Sequence, residues 1–338
     1  YSFTNDYSEG AHPRILEALI ETNLIQHTGY GMDEEHCGHA RELIRREIGR
    51  PDASVHFLVG GTQANLTVIA AALKPWEAVI CASTGHINVH ETGAVEATGH
   101  KVLTLPDPDG KVTPAMVLEI LDSHPDEHMV KPKMVYISNT TEIGTQYTKA
   151  ELEALSHLCR QRELYLFLDG ARLGAALASS ANDLTLADIA ALTDVFYIGG
   201  TKNGALFGEA VVILNPQIDQ DFRYMIKQRG GMLAKGWLLG IQFETLFTDG
   251  LFYEMAGHAS RLADRLRAGL EERGFSFYSR SVSNQLFPIF SDELIEKLSA
   301  DFSFNIQARI DDSHQAIRLV TSWATRAEAV DALLKALD

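Results

Sequence analysis

Residues 193–214 read TDVFYIGGTKNGALFGEAVVIL, two apolar runs with a single lysine between them. Residues 195–198 have the length and composition of a buried strand, residues 199–208 form a glycine-rich loop, and residues 210–214 form a second strand. Lys202 therefore rides on a hairpin-like loop. Glycines crowded around one amine suit a flat ligand that must pass close to the backbone, and desolvation there lowers a lysine pKa toward nucleophilic use. Taken alone, the window favours a solvated surface lysine.

A second stretch changes that balance. Residues 164–168, LYLFL, make an apolar run of strand length followed directly by Asp169, Gly170, Ala171 and Arg172. An acid and a base thus stand at the carboxyl end of a buried strand, where open parallel sheets place their ligands. A strand, an aspartate and then a lysine loop 33 positions later (202 − 169) resembles the pyridoxal-phosphate enzymes of the aspartate aminotransferase fold. That resemblance implies an aspartate paired with the pyridine nitrogen and a lysine holding the cofactor aldehyde as a Schiff base.

The composition bounds the rest. A chain of 338 residues with 46% apolar content can bury a large core in one or two domains. A formal net charge of −16 with no offsetting basic cluster argues against nucleic acid and against an anionic membrane surface, and leaves small-molecule chemistry. Three scattered cysteines, Cys37, Cys81 and Cys159, do not form a disulfide framework and fit a reducing, cytoplasmic setting. No apolar stretch approaches the roughly 20 residues that span a bilayer.

Along the chain, residues 12–21 read as a helix with Pro13 near its first turn, and residues 1–40 are otherwise polar and unable to bury themselves. His36, Cys37 and His39 invite a zinc reading, but no second ligand pair follows at finger spacing, so no metal is expected. Residues 55–59 form a strand that runs into GGTQAN at 60–65 and a helix over 66–73. Free backbone N–H groups and a hydroxyl at such a junction make an anion site at Gly61 and Thr62, without matching a Walker or dinucleotide fingerprint. Strands at 78–82, 101–105 and 133–138 follow, with His86 and the loop Asn139-Thr140-Thr141 near strand ends on the same rim. Helices are expected over 114–121 and 151–163.

Alternation of strand and helix from residue 55 to about 214 predicts a mostly parallel sheet covered on both faces. Beyond it, a helix over 252–273, strands at 275–278, 285–290, 306–310 and 316–321, and helices at 293–298 and 326–337 describe a small α+β domain. The expected division is a large domain over 1–250 and a small one over 251–338.

With these motifs in order the chain resembles the threonine aldolase and β-eliminating lyase family of fold-type-I pyridoxal-phosphate enzymes. The family's SGT-x-x-N is matched by residues 60–65, its His with a Glu five residues on by His86 and Glu91, its H-x-D-G-A-R by residues 167–172, its S-K by Thr201-Lys202, and its I-R-L-V-T by residues 317–321. The resemblance implies a seven-stranded, mostly parallel sheet and pyridoxal 5′-phosphate as cofactor. It also implies retro-aldol cleavage of threonine, allo-threonine or a related β-hydroxy amino acid to glycine and an aldehyde. Lys202, Asp169 and His86 would be catalytic, the last stacking on the cofactor ring. Gly61 and Thr62 would hold the phosphate, and Arg172 would serve cofactor and substrate. Arg318, Asn5 and His128 would contact the substrate, His128 standing in for the family's second histidine.

A homodimer or homotetramer is implied as well, with residues 1–40 completing the neighbour's site. Departures fall on the substrate side: Asn5 replaces a serine, the E-N-T-H-N loop becomes SNTTE at 138–142, and G-G-G-M-R-Q becomes RGGMLA at 229–234. A β-eliminating lyase or an aminotransferase shares the lysine, aspartate and arginines. An interaction protein on this scaffold and a nucleotide-binding α/β protein are the readings outside this chemistry.

Overall fold

The computed structural model describes residues 1–107 and 109–338, with the backbone only of Glu34. Seven strands make the main sheet: β1 (Ser54–Leu58), β2 (Glu77–Ala82), β3 (Val102–Leu105), β4 (Lys131–Ser138), β5 (Tyr165–Asp169), β6 (Val195–Gly199) and β7 (Glu209–Ile213). Their order is β1-β7-β6-β5-β4-β2-β3, and β7 alone runs antiparallel to its neighbours. This is the expected mostly parallel, seven-stranded α/β architecture. Successive side chains go to opposite faces, and both faces are covered. Leu166, Leu168, Phe196 and Ile198 join one core, while Phe167, Val195, Tyr197, Met134 and Tyr136 join the other.

Parallel strands end on one rim, and that rim collects the chemistry. The turns after β1, β2, β4, β5 and β6 carry Gly61, His86, Glu142, Asp169 with Arg172, and Lys202. Because β7 is reversed, it starts on the same rim with Glu209.

The second sheet follows the order β10 (Asn305–Arg309), β11 (His314–Val320), β8 (Gln285–Leu286), with β9 (Ile289–Ser291) also pairing β11. It packs against the helices Leu251–Glu272 and Ala327–Ala336. Three expectations change here. The single strand over 285–290 is split at Pro288, which has no N–H for the ladder, and residues 275–278 contribute only the bridge Phe277 to Pro288. The first residues were expected to belong with the large domain. Instead Phe3 is buried in the second core, its N–H bonding Ser303 O and its carbonyl accepting from Val320 N.

The helix after β1 begins at Gly61 and runs to Ala72, several residues earlier than its apolar pattern indicated. Helices Leu173–Ala178 and Leu186–Leu192 carry no separate signal in the sequence, being too short for periodicity to act on. The helices read on either side of residues 229–231, within 222–240, are Phe222–Gln228 and Trp237–Phe247, the second running seven residues further than expected. Among the described residues no helix is long and apolar enough to cross a membrane.

Candidate active site

Asp169 and Lys202 meet because two glycines let their turns interlock. Gly199 N donates to Gly170 O at 3.0 Å. A Cβ on Gly170 would lie 1.9 Å from Tyr197 O, and one on Gly199 would lie 2.4 Å from Ala171 O. Any side chain at either position would push the aspartate turn away from the lysine hairpin. Within that hairpin, Gly200 N and Thr201 N both donate to Gly208 O, at 2.9 and 3.1 Å. A cavity of about 330 Å³ results, lined among others by Gly61, Thr62, His86, Asp169, Arg172 and Lys202.

Asp169 continues the face of Phe167, two positions earlier, and so meets the tyrosines beneath the rim. Its Oδ2 accepts from Tyr136 Oη at 2.5 Å and Asn65 Nδ2 at 3.1 Å, and its Oδ1 accepts from Ala171 N at 3.0 Å. Burial works against its charge, yet the neighbouring His86, the Tyr136 and Tyr197 hydroxyls and the Ala171 N–H outweigh burial and hold the carboxyl below its usual range. The same Asn65 amide donates to Glu91 Oε1 at 2.7 Å, and His86 Nδ1 meets that oxygen at 2.7 Å. Glu91 has no exposed side chain. Burial alone would depress the His86 pKa, but the hydrogen bond to Glu91 and the charges of Asp169 and Glu91 raise it.

Lys202 shows the opposite shift. Loss of solvent lowers its pKa first and the Arg172 charge lowers it further, against the pull of Asp6, Asp169 and Glu209. Glu209 is 4% exposed, its Oε1 accepting from Thr201 Oγ1 at 3.0 Å and its Oε2 from Gly200 N at 3.1 Å. Burial pushes its carboxyl up to about 8 despite those donors and the lysine. A lysine that sheds its proton easily, beside an acid that keeps one, is chemically competent to attack a carbonyl carbon.

Several expectations change on contact with the structure. His128 lies in the exposed loop before β4, where its N–H bonds Asp126 Oδ1, at the end of the sheet opposite the cavity. The eight residues of β4 separate the two ends by roughly 25 Å, so His128 cannot serve this site. Asn5 does not line the cavity; its Oδ1 accepts from Tyr7 N and Ser8 Oγ in a turn that brings Tyr7 to the wall. Arg172 does line it, with Nε and Nη2 gripping buried Asp6 at 2.8 and 3.0 Å. Arg318 stands just outside, its Nη2 on Thr4 O at 3.3 Å and its buried Nε without a partner among the described residues.

Three residues escaped the sequence reading of the site, and a fourth, Asn65, entered it only as the last position of the phosphate motif. Tyr136 and Glu209, and Asn65 in reaching Glu91 and Asp169, act through contacts that no local spacing encodes. Glu142 had a visible signal: the loop at 138–142 has lost its first glutamate, and Glu142 Oε1 instead accepts from Ser138 Oγ at 2.7 Å and His86 N at 2.9 Å. A carboxylate has changed position within the loop and returned to the cavity wall.

The cavity fits pyridoxal phosphate on its own geometry. The helix Gly61–Ala72 opens at the wall with no side chain capping its N-terminus, so its first N–H groups are free for a phosphate. A Cβ on Gly61 would lie 3.0 Å from Tyr197 Oη, a tight contact to which the hydroxyl would have to yield by a few tenths of an ångström. An ionised aspartate and a readily deprotonated lysine complete the set of donors and acceptors that such a cofactor needs.

Comparisons with known proteins agree with this geometry. The family description "Beta-eliminating lyase" matches residues 10–293. A low specificity L-threonine aldolase of Pseudomonas aeruginosa is 33% identical over 337 residues, covering 98% of this chain and 96% of that protein. A solved structure of Leishmania major threonine aldolase superposes with a TM-score of 0.98 at 54% identity, covering 100% of this chain and 98% of that one. Aspartate aminotransferase of Thermus thermophilus, at 18% identity and a TM-score of 0.72 over 99% of this chain and 90% of that one, shares the fold. The chain belongs to the beta-eliminating lyase family.

Proposed function

We propose that this protein is a pyridoxal-phosphate-dependent aldolase that cleaves threonine, allo-threonine or a related β-hydroxy-α-amino acid to glycine and an aldehyde. The observation that carries the proposal is the convergence of Lys202, ionised Asp169 and the uncapped helix start at Gly61 on one cavity. Pyridoxal phosphate supplies an aldehyde for the lysine and a ring that takes up the electrons released when a bond at the substrate α-carbon breaks. The chain's own residues do the rest.

Asp169, kept charged by its surroundings, would keep the ring nitrogen protonated. Gly61 and Thr62 would bind the phosphate through the helix start. His86, its Nδ1 anchored on Glu91, would lie against the ring. Glu142 Oε1 accepts from Ser138 Oγ and His86 N, and burial raises the pKa of this carboxyl. His90, exposed beside His86 at 5.5 Å between ring centroids and outside the cavity wall, is the candidate that replaces His128 as base for the β-hydroxyl. Burial and the charges of His86 and Arg318 lower its pKa, so it stands ready as a neutral base. Arg318 and Arg172 receive the substrate carboxylate, Arg172 oriented by Asp6.

We also take the protein to be cytoplasmic and a homodimer or homotetramer. Its three cysteines are free and buried, which suits a reducing compartment, and cell fractionation checks the location. The helix Pro13–Thr22 buries Ile15 but leaves Ile20 75% exposed, and Leu24 beyond it is 93% exposed. A run of apolar side chains there fits a subunit interface better than open solvent.

The purified protein should release glycine and an aldehyde from threonine and show a visible cofactor absorption band. Lys202→Ala should lose both the band's protein-bound form and the turnover. Ammonia and a keto acid as the products would instead make it an eliminating lyase.

Arg318→Ala should raise KM about tenfold to a hundredfold, the loss of one charged hydrogen bond of roughly 1.5–3 kcal/mol. Unchanged KM with a lower melting temperature would assign Arg318 to pinning the N-terminal strand through Thr4.

Glu142 predicts a pH dependence of stability. Its folded pKa is raised, so the folded protein keeps a proton that the unfolded chain releases above 4.5. Its contribution is fully present below that value and fades as pH rises through the folded pKa. Urea midpoints of Glu142→Gln should therefore fall less with rising pH than those of the parent; parallel curves would show that Glu142 titrates normally.

Light scattering should give at least twice the chain mass of 37.2 kDa, and an active species of 37.2 kDa would remove the interface.

A further inference from the structure

Away from the cavity, two histidines have buried ring nitrogens without a partner among the described residues. His27 lies in the loop after the helix Pro13–Thr22, with only 1% of its side chain exposed. His36 lies in the single π-helical turn Glu34–Gly38, with 13% exposed. Their rings meet edge to face with centroids 5.0 Å apart. Among the described residues, Nε2 of each has no hydrogen-bond partner. Two neutral acceptors, or two unpaired donors, would be costly to bury side by side.

The tautomer of His36 is set by its other nitrogen. Nδ1 lies 2.6 Å from Glu244 Oε2, and since an ionised carboxylate can only accept, Nδ1 carries the hydrogen and Nε2 offers a lone pair. Glu244 is itself braced by His39 Nδ1 on its second oxygen, at 2.7 Å. A carboxylate behind a ligating histidine is the usual support of a protein metal site. Glu35 Oε2 lies 3.8 Å from His27 Nδ1, the ring nitrogen other than the unpaired Nε2, and one ligand atom from each of His27, Glu35 and His36 lies within 4.8 Å of the others, so that a small turn of the His27 ring decides which nitrogen faces the ion. Around a tetrahedral zinc such atoms are about 3.4 Å apart. The difference is within reach of Glu35, whose side chain is 66% exposed and free to swing inward.

We propose that His27, His36 and Glu35 form a binding site for an imidazole-preferring divalent cation, zinc being the fitting probe. Two imidazoles and one carboxylate favour zinc, copper or nickel over magnesium or calcium, which prefer all-oxygen sites. The bound ion would tie residues 27 and 36 together beneath Trp237, whose ring centroid is 5.4 Å from that of His27. It would close the loop that carries Tyr30 and Met32, both of them exposed. The role is structural, independent of the cavity and of the reaction proposed for it.

The test titrates metal-stripped holoenzyme with zinc by calorimetry and measures zinc per chain after dialysis. One zinc per chain is expected, with a rise in melting temperature. His27→Gln and His36→Gln should each weaken binding by at least about a hundredfold, and Glu244→Gln, which only orients His36, by about tenfold. Melting temperatures and cofactor absorption of the variants without zinc show that they are folded. Copper, bound at the same place, should quench Trp237 fluorescence in the parent and not in His27→Gln. Failure of the holoenzyme to take up zinc overturns the site, and so does uptake that His27→Gln and His36→Gln leave intact, which would assign the ion to surface histidines.

Discussion

One side-chain amide holds two buried carboxylates in place. Asn65 Nδ2 donates to Glu91 and to Asp169, and through them it couples the His86 turn after β2 to the aspartate turn after β5. Asp169 could not stay charged there without compensation, because removing an ion from water costs several kcal/mol. The amide, the Tyr136 hydroxyl and the Ala171 N–H supply it, and the His86 charge adds its field. Asn65 can reach both acids only because its helix begins at Gly61, one turn before Asn65, so that the helix start faces the cavity and its second turn faces the network.

The charges divide by position. Below the rim, Asp169 is held ionised. On the lysine hairpin, Glu209 has too few donors to offset its burial, and its carboxyl is pushed up to about 8 while Lys202 shifts down. Two acids on one cavity wall thus take opposite protonation preferences, set by donor count more than by depth. The N-terminal segment adds a third element: Asp6, 1% exposed, grips Arg172 with both oxygens while Phe3 is sunk in the core of the second sheet. Losing one partner of such a buried pair typically costs 3–5 kcal/mol. The first residues therefore connect the small sheet to the catalytic rim, which places Arg318 and Arg172 near one another despite their separation in sequence.

How much of this was legible in the chain depends on whether the signal was local. Strand, loop and strand around Lys202, the acid at the end of β5 and the helix start after β1 are all written in contiguous residues, because apolar runs and glycines act over a few positions. The His86 and Glu91 pair was legible only through the family resemblance, since Glu91 lies beyond the short helix His86–Val89 and a spacing of five does not by itself bring two side chains together. His128 misled because a histidine near a strand carries no mark of which end of the strand it occupies. Pro288 was readable in principle: a residue without an N–H divides the strand it interrupts.

By itself the sequence determined the class of fold, and it marked Lys202, Asp169 and the helix start after β1 as candidates, since each is a property of a short segment and its period. Only the tertiary structure decided the strand order, with the reversed β7 that brings Glu209 to the rim, and the contacts that cross it. Asn65 to Asp169, Asp6 to Arg172 and His27 to His36 are meetings of side chains from separate turns. Which turns become neighbours is settled by how the sheet buries both of its apolar faces at once, a requirement on the whole chain that no single stretch expresses.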